Sequence, residues 1–133
     1  MPLFDAFAIS GSGLYTYRKW MDALSDNIAN MDTVVGTNQN AFQERFVQAQ
    51  AANVKGSGGG VRVASVQLGD AAGRLRHDPS NPLADAQGYV KAPDMDLSDQ
   101  MTNLILAQRG YQANLAAIDR AKQAYTQALS LGK

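Results

Sequence analysis

The chain has 133 residues, 45% of them apolar and 18% charged, which fits one small domain or a short middle region carried on long arms, and is too apolar for a disordered tail. Twelve Lys and Arg balance twelve Asp and Glu without a basic stripe, which argues against a nucleic-acid partner. The absence of cysteine removes disulfides, thiol nucleophiles and Cys-ligated metals, and a lone His77 removes any site needing two imidazoles.

The first residues, Met1-Pro2-Leu3-Phe4-Asp5-Ala6-Phe7-Ala8-Ile9, lack a basic lead and are interrupted by Asp5, so no cleaved signal peptide is expected. No stretch approaches the ~18 apolar residues that span a bilayer, so no membrane insertion is expected. Apolar side chains then fall at Leu14, Tyr17, Met21, Leu24, Ile28 and Met31, with spacings alternating between three and four. That is a heptad seam. The pattern predicts one helix over about residues 3–31, with a soft point at Gly11–Gly13 because glycine weakens a helix interior.

Residues 32–40 are turn-rich, and the following Phe42–Gln48 fits either a strand or a helix, since Phe42 and Phe46 share a face in both. Lys55-Gly56-Ser57-Gly58-Gly59-Gly60 reads as the flexible tip of a long hairpin. Its second strand is Val61-Arg62-Val63 with Val66-Gln67-Leu68, and the parity change at Ala64–Ser65 predicts a bulge. The proline-rich stretch from His77 to Pro93 is expected to be extended, anchored by Tyr89 and Val90.

The last third repeats the seam at Leu97, Met101, Leu104, Gln108, Tyr111, Leu115, Ile118, Lys122, Tyr125 and Leu129. Gln108 and Lys122 are its polar exceptions; they either specify register or partner choice, or simply face solvent. Pro93, Asp94 and Asp96 supply a helix start, seven alanines between Ala107 and Ala128 raise propensity, and Gly132 supplies a stop. The fold expected is therefore mainly α. Two long terminal helices (1–31 and 94–133) form an antiparallel coiled-coil pair, with a turn-rich linker, small β-hairpin region and extended loops over 32–93.

Nothing in this pattern carries chemistry. His77-Asp78 has no nucleophile beside it, and adjacent residues point apart in extended chain. Gly56–Gly60 lacks the Gly-Lys-Ser/Thr ending of a phosphate loop. Asp94, Asp96 and Asp99 are explained by capping and the helix dipole rather than by a metal. No catalytic residue, cofactor or metal is expected. The arms instead carry more apolar stripe than so thin a core can use, on surfaces rich in Ala, Gln, Asn, Ser and Thr, as if built to pack among copies or relatives.

Several of these residues also form recognisable motifs. Gly13-Leu14, Asn27-Ile28-Ala29-Asn30, Thr33 and Gly36 resemble the N-terminal signature of bacterial flagellar axial proteins, the rod, hook and hook-associated subunits. Met101 through Ala107-Gln108-Arg109-Gly110-Tyr111-Gln112-Ala113-Asn114 is similar to their C-terminal motif. His77-Asp78-Pro79, Ala84-Asp85-Ala86-Gln87-Gly88-Tyr89-Val90-Lys91, Pro93 and the ending Leu129–Lys133 narrow the match to a proximal rod subunit. The sequence departs from the family pattern at residues 34–40, where more proline and arginine is expected.

The resemblance implies a structural subunit of a helical tube that transmits torque, whose terminal helices pack against copies and other rod proteins. It also implies export through the flagellar type III apparatus. Asn27 and Asn30 either terminate the first helix or fix the direction in which the chain leaves it. A soluble coiled-coil adaptor or export chaperone, binding a partner helix, is the competing function.

Overall fold

The computed structural model describes residues 2–52 and 59–132. Helix α1 runs from Pro2 to Asn30. Proline suits a first turn, where its missing N–H has no partner to lose, and Asp5 adds a carboxylate near the positive end of the helix dipole. The helix is continuous through Gly11–Gly13. Ser12 and Thr16 hydroxyls cap internal carbonyls of Ile9 and Ser12 at 2.6 and 3.0 Å.

Strands β1 (Arg45–Ala51) and β2 (Val61–Leu68) pair antiparallel. Gln48 faces Ser65 but Ala49 faces Val63, so Ala64 is the extra residue of a bulge. The region beginning at Phe42 is thus a strand only from Arg45 onwards, with Phe46 half exposed. Residues 53–58, which include most of the glycine-rich tip, lie outside the described residues. Both strands lie against α1.

The stretch His77–Pro93, expected to be extended, is so only at its ends: Tyr89–Ala92 (β4) pairs antiparallel with Arg74–His77 (β3) in a second two-stranded sheet, and the residues between them turn. Val35 adds a bridge to Lys91, with reciprocal N–H to O=C bonds of 2.9 Å. The pairing is anchored because Val90 and Ala92 point inward, beside buried Ala41, Pro93 and Met95, and bury completely.

Helix α2 spans Leu97–Leu131. Asp96 is its N-cap, accepting from the Ser98 and Asp99 N–H groups at 2.7 and 3.3 Å. Helices of 29 and 35 residues correspond to roughly 43 and 52 Å. Among the described residues no helix is long and apolar enough to cross a membrane.

Candidate assembly surface

The two helices meet in opposite directions through small and polar residues. The Asn27 side chain donates to Gln100 Oε1 at 3.0 Å. The Tyr17 ring lies against Gly110, where a β-carbon would collide with it, and a β-carbon on Gly13 would sit 2.5 Å from Asn114 Oδ1. Residue numbers in each of these three pairs add to 127, so a single register accounts for all of them. Extending it puts residue 2 opposite 125, and the last turn and a half of α2 runs past α1.

This contact face is not the apolar repeat of α2. Gln100 and Ala107 are buried and Asn114 is half-buried on it, with Leu104, Tyr111 and Ile118 half-buried at its edge. Leu97, Met101, Leu115, Tyr125 and Leu129 are exposed, at 44–56% of their surface. At 100° per residue, Leu97, Met101 and Leu115 are turned roughly 80–120° away from Ala107. They form a flank beside the internal contact, while Tyr125 lies level with the first residue of α1 and Leu129 where α2 runs beyond it. Gln108 and Lys122 are exposed, which fits the solvent account of these two seam positions.

On α1, Leu24 is buried, while Leu14, Tyr17, Met21 and Ile28 are half-buried, as is Met31 in the turn just after the helix. Phe4, Ile9 and Tyr15 add exposed apolar area. A groove of about 630 Å³ opens between the helices and the β1–β2 sheet, lined by Ile9, Thr16, Tyr17, Trp20, Val47 and Val61. The rings of Tyr17 and Trp20 are 6.2 Å apart there.

Asn27 lies in the last turn of α1. Fully buried, its amide accepts from the Arg45 N–H at 2.9 Å and donates to the Arg45 carbonyl at 3.1 Å, in the manner of a strand neighbour. It therefore fixes where the returning chain enters β1. Gln100 carries the linkage on, donating to Glu44 at 2.5 Å, and the Arg45 guanidinium pairs with Asp26. Sequence reasoning singled out Asn27 but had no signal for Gln100, which resembles any other polar residue in the first turn of a helix.

Asn30 is a turn residue: its side chain donates to the Asp26 carbonyl at 2.8 Å, and its own carbonyl accepts from Thr33 at 3.0 Å. Ala29 and Thr33 are exposed, and Gly88 closes the turn before Tyr89 by donating to Asp85 O. His77 lies across from Tyr89, with ring centres 4.9 Å apart. Asp78 is bound by Ser80 and Asn81, whose hydrogen bonds hold its carboxyl below the usual range with help from Arg76. His77 thus ends β3, and Asp78 opens the turn that follows it. Among the described residues no group of three His, Cys, Asp or Glu is placed to hold a metal.

Comparison with known proteins finds relatives along the whole chain. The family model described as Flagellar basal body rod FlgEFG protein C-terminal covers residues 86–131, from the turn before β4 through α2. The flagellar basal-body rod protein FlgC of Salmonella typhimurium is 38% identical over 134 aligned positions, with both chains covered completely. The chain belongs to the FlgC family of flagellar basal-body rod proteins. FlgC of Escherichia coli O6:H1 is 37% identical, and that of Bacillus subtilis 32% identical over 150 positions, again with both chains fully covered. Membership of the FlgC family gives the exposed flank a context: the chain is related along its whole length to proteins named for a built assembly, the rod.

Proposed function

We propose that this protein is a structural subunit of the flagellar basal-body rod. It packs through its terminal helices against copies of itself and other rod proteins, in a tube that transmits torque. Full-length similarity to FlgC proteins carries the reading, and the unsatisfied apolar surface of α2 supports it. Leu97, Met101, Leu115, Tyr125 and Leu129 remain half exposed after the chain has folded. Apolar area removed from water contributes roughly 25 cal/mol per Å², so such a flank retains a driving force for association.

In this reading the subunit divides into an N-terminal helix (1–31), a middle region (32–93) that faces neighbours outside the helical wall, and a C-terminal helix (94–133). The terminal helices form the coiled-coil pair, and neighbouring subunits complete the contacts on Met21, Ile28, Met31 and the exposed α2 flank. Delivery is through the flagellar type III export apparatus, without a cleaved signal. No catalytic step is assigned.

The test is Leu115→Asp. Because Leu115 is 45% exposed, the folded chain should lose only about 1–2 kcal/mol, from helix propensity and the covered part of the side chain. Burial of that charge among neighbours would be prohibitive. The variant should be made and exported but be missing from purified basal bodies, and cells depending on it should not swim. Normal incorporation and swimming would remove the basis for the assignment.

A further inference from the structure

We infer that the register of the two helices is keyed by two small contacts, Asn27–Gln100 and Tyr17–Gly110, and not by the apolar repeat. The inference concerns pairing within one chain and stands apart from the rod assignment. Asn27 and Gln100 are 0% and 2% exposed, and the bond from the Asn27 side-chain N–H to Gln100 Oε1 exists only when residue 27 faces residue 100. Sliding α2 by a heptad would break that bond while Asn27 stays held by the Arg45 backbone, so one Asn27 N–H and Gln100 Oε1 would lose their partner, and a buried polar atom without a partner is disfavoured. The second contact is steric. Gly110 is the only glycine within α2, and the Tyr17 ring occupies the place its β-carbon would take. After a heptad slip the same ring would face Asn103 or Ala117, each of which has a β-carbon.

Leucines and methionines cannot do this. Leu–Leu contacts recur every heptad and tolerate slippage, whereas a buried polar pair fits one alignment, the use that polar residues have at coiled-coil seams. A key of this kind also fixes how far α2 extends past α1, because both contacts obey the same sum of 127. It releases the large apolar residues of α2 from internal duty.

The chain contains no cysteine, so paired cysteines report register directly. Gly13→Cys with Asn114→Cys reads the native register, because a β-carbon on Gly13 lies 2.8 Å from Asn114 Cγ. Gly13→Cys with Ala121→Cys or Ala107→Cys, each carrying Asn114→Ala, reads a heptad slip either way. Intramolecular products, which run faster than the open chain on a non-reducing gel, are quantified on the purified full-length protein. Helical content is measured alongside. The parent should cross-link through 13–114 and hardly at all through the slipped pairs.

In the keyless background, Gln100→Met with Tyr17→Leu, helical content should persist. The slipped products should rise at least about tenfold, the factor that about 1.4 kcal/mol of register preference sets. Gln100→Met alone should give an intermediate rise. Three results overturn the inference: slipped products already abundant in the parent, a keyless chain that still cross-links only through 13–114, or a keyless chain that loses its helices. Incorporation into basal bodies, scored separately, bears on the rod assignment without touching this result.

Discussion

Glycine-to-alanine substitution at two helical sites should give opposite signs. In an open helix interior alanine stabilises by about 1 kcal/mol relative to glycine, and Gly11 fits that case: nothing lies within 4 Å of a β-carbon placed there. At Gly110 the new methyl would land on the Tyr17 ring, meeting Cε1 and Cζ within contact range and Cδ1 at 2.9 Å. The obstacle is the body of an aromatic side chain, half-buried and packed near Trp20, so it cannot swing aside freely. Overpacking of this kind costs about 1–3 kcal/mol, and subtracting the propensity gain leaves Gly110→Ala destabilised by about 0–2 kcal/mol. Gly11→Ala should be stabilised by about 0.5–1 kcal/mol, which puts the two variants about 1–3 kcal/mol apart. Denaturant unfolding of the full chain, followed by helical circular dichroism, measures both. Tyr17→Leu should then make Gly110→Ala harmless, a coupling that a double-mutant cycle isolates. If Gly110→Ala stabilises as much as Gly11→Ala, the helices do not approach here as described, and the register argument falls with it.

Other positions give sharper local outcomes. Asn27→Ala strands the Arg45 backbone and the Gln100 carbonyl, and should lose about 2–3 kcal/mol in the same unfolding experiment; Asn30→Ala, half-buried and with its side chain bonded to the Asp26 carbonyl, should lose under about 1 kcal/mol. Equal losses would mean that the two asparagines of the motif do the same work. Asp96→Ala should lose about 0.5–2 kcal/mol and speed amide exchange at Ser98 and Asp99, the two N–H groups it caps. Asp85 is held below its ordinary pKa by the Tyr89 N–H at 2.9 Å, helped by the Gln87 N–H at 3.0 Å. A lowered folded-state value means that this stabilisation is complete above the unfolded pKa of about 3.9 and fades as pH falls through the folded one. Acid titration of the Tyr89 amide resonance should therefore show a transition below pH ~3.9 that disappears in Asp85→Asn.

The helices were legible because heptad spacing and alanine content both report helix, and the Ala64 bulge was legible because a strand's side chains alternate strictly. Which way α2 faces was not. Its leucines and methionines mark an apolar surface, and apolarity does not distinguish a surface covered by the same chain from one left for another. The internal face is set instead by Gln100, Ala107, Gly110 and Asn114, whose value lies in being small or in finding one partner, neither of which has a periodic signature. The β3 strand was hidden for a related reason. Arg74-Leu75-Arg76-His77 is exposed at every position, so no alternation announces it, and it is held by its ladder to β4. The asparagine motif could be located but not interpreted, since the residues that complete it, Arg45 and Gln100, are 18 and 73 positions away.

This division of labour has a consequence for how such a chain can build a larger object. A subunit whose helices paired through their largest apolar side chains would be stable alone and would have little left with which to associate. Here the internal contact is made of Ala23, Leu24, Ala107 and two amides, a narrow core by area. Close approach at Gly13 and Gly110 gives it specificity, and the burial that remains available lies on Leu97, Met101, Leu115, Tyr125 and Leu129. Hydrophobic burial is non-directional and polar pairing is directional. Direction on the inside and area on the outside therefore serve different ends: the first sets which residues of the two helices face each other, and the second leaves apolar surface open to further burial.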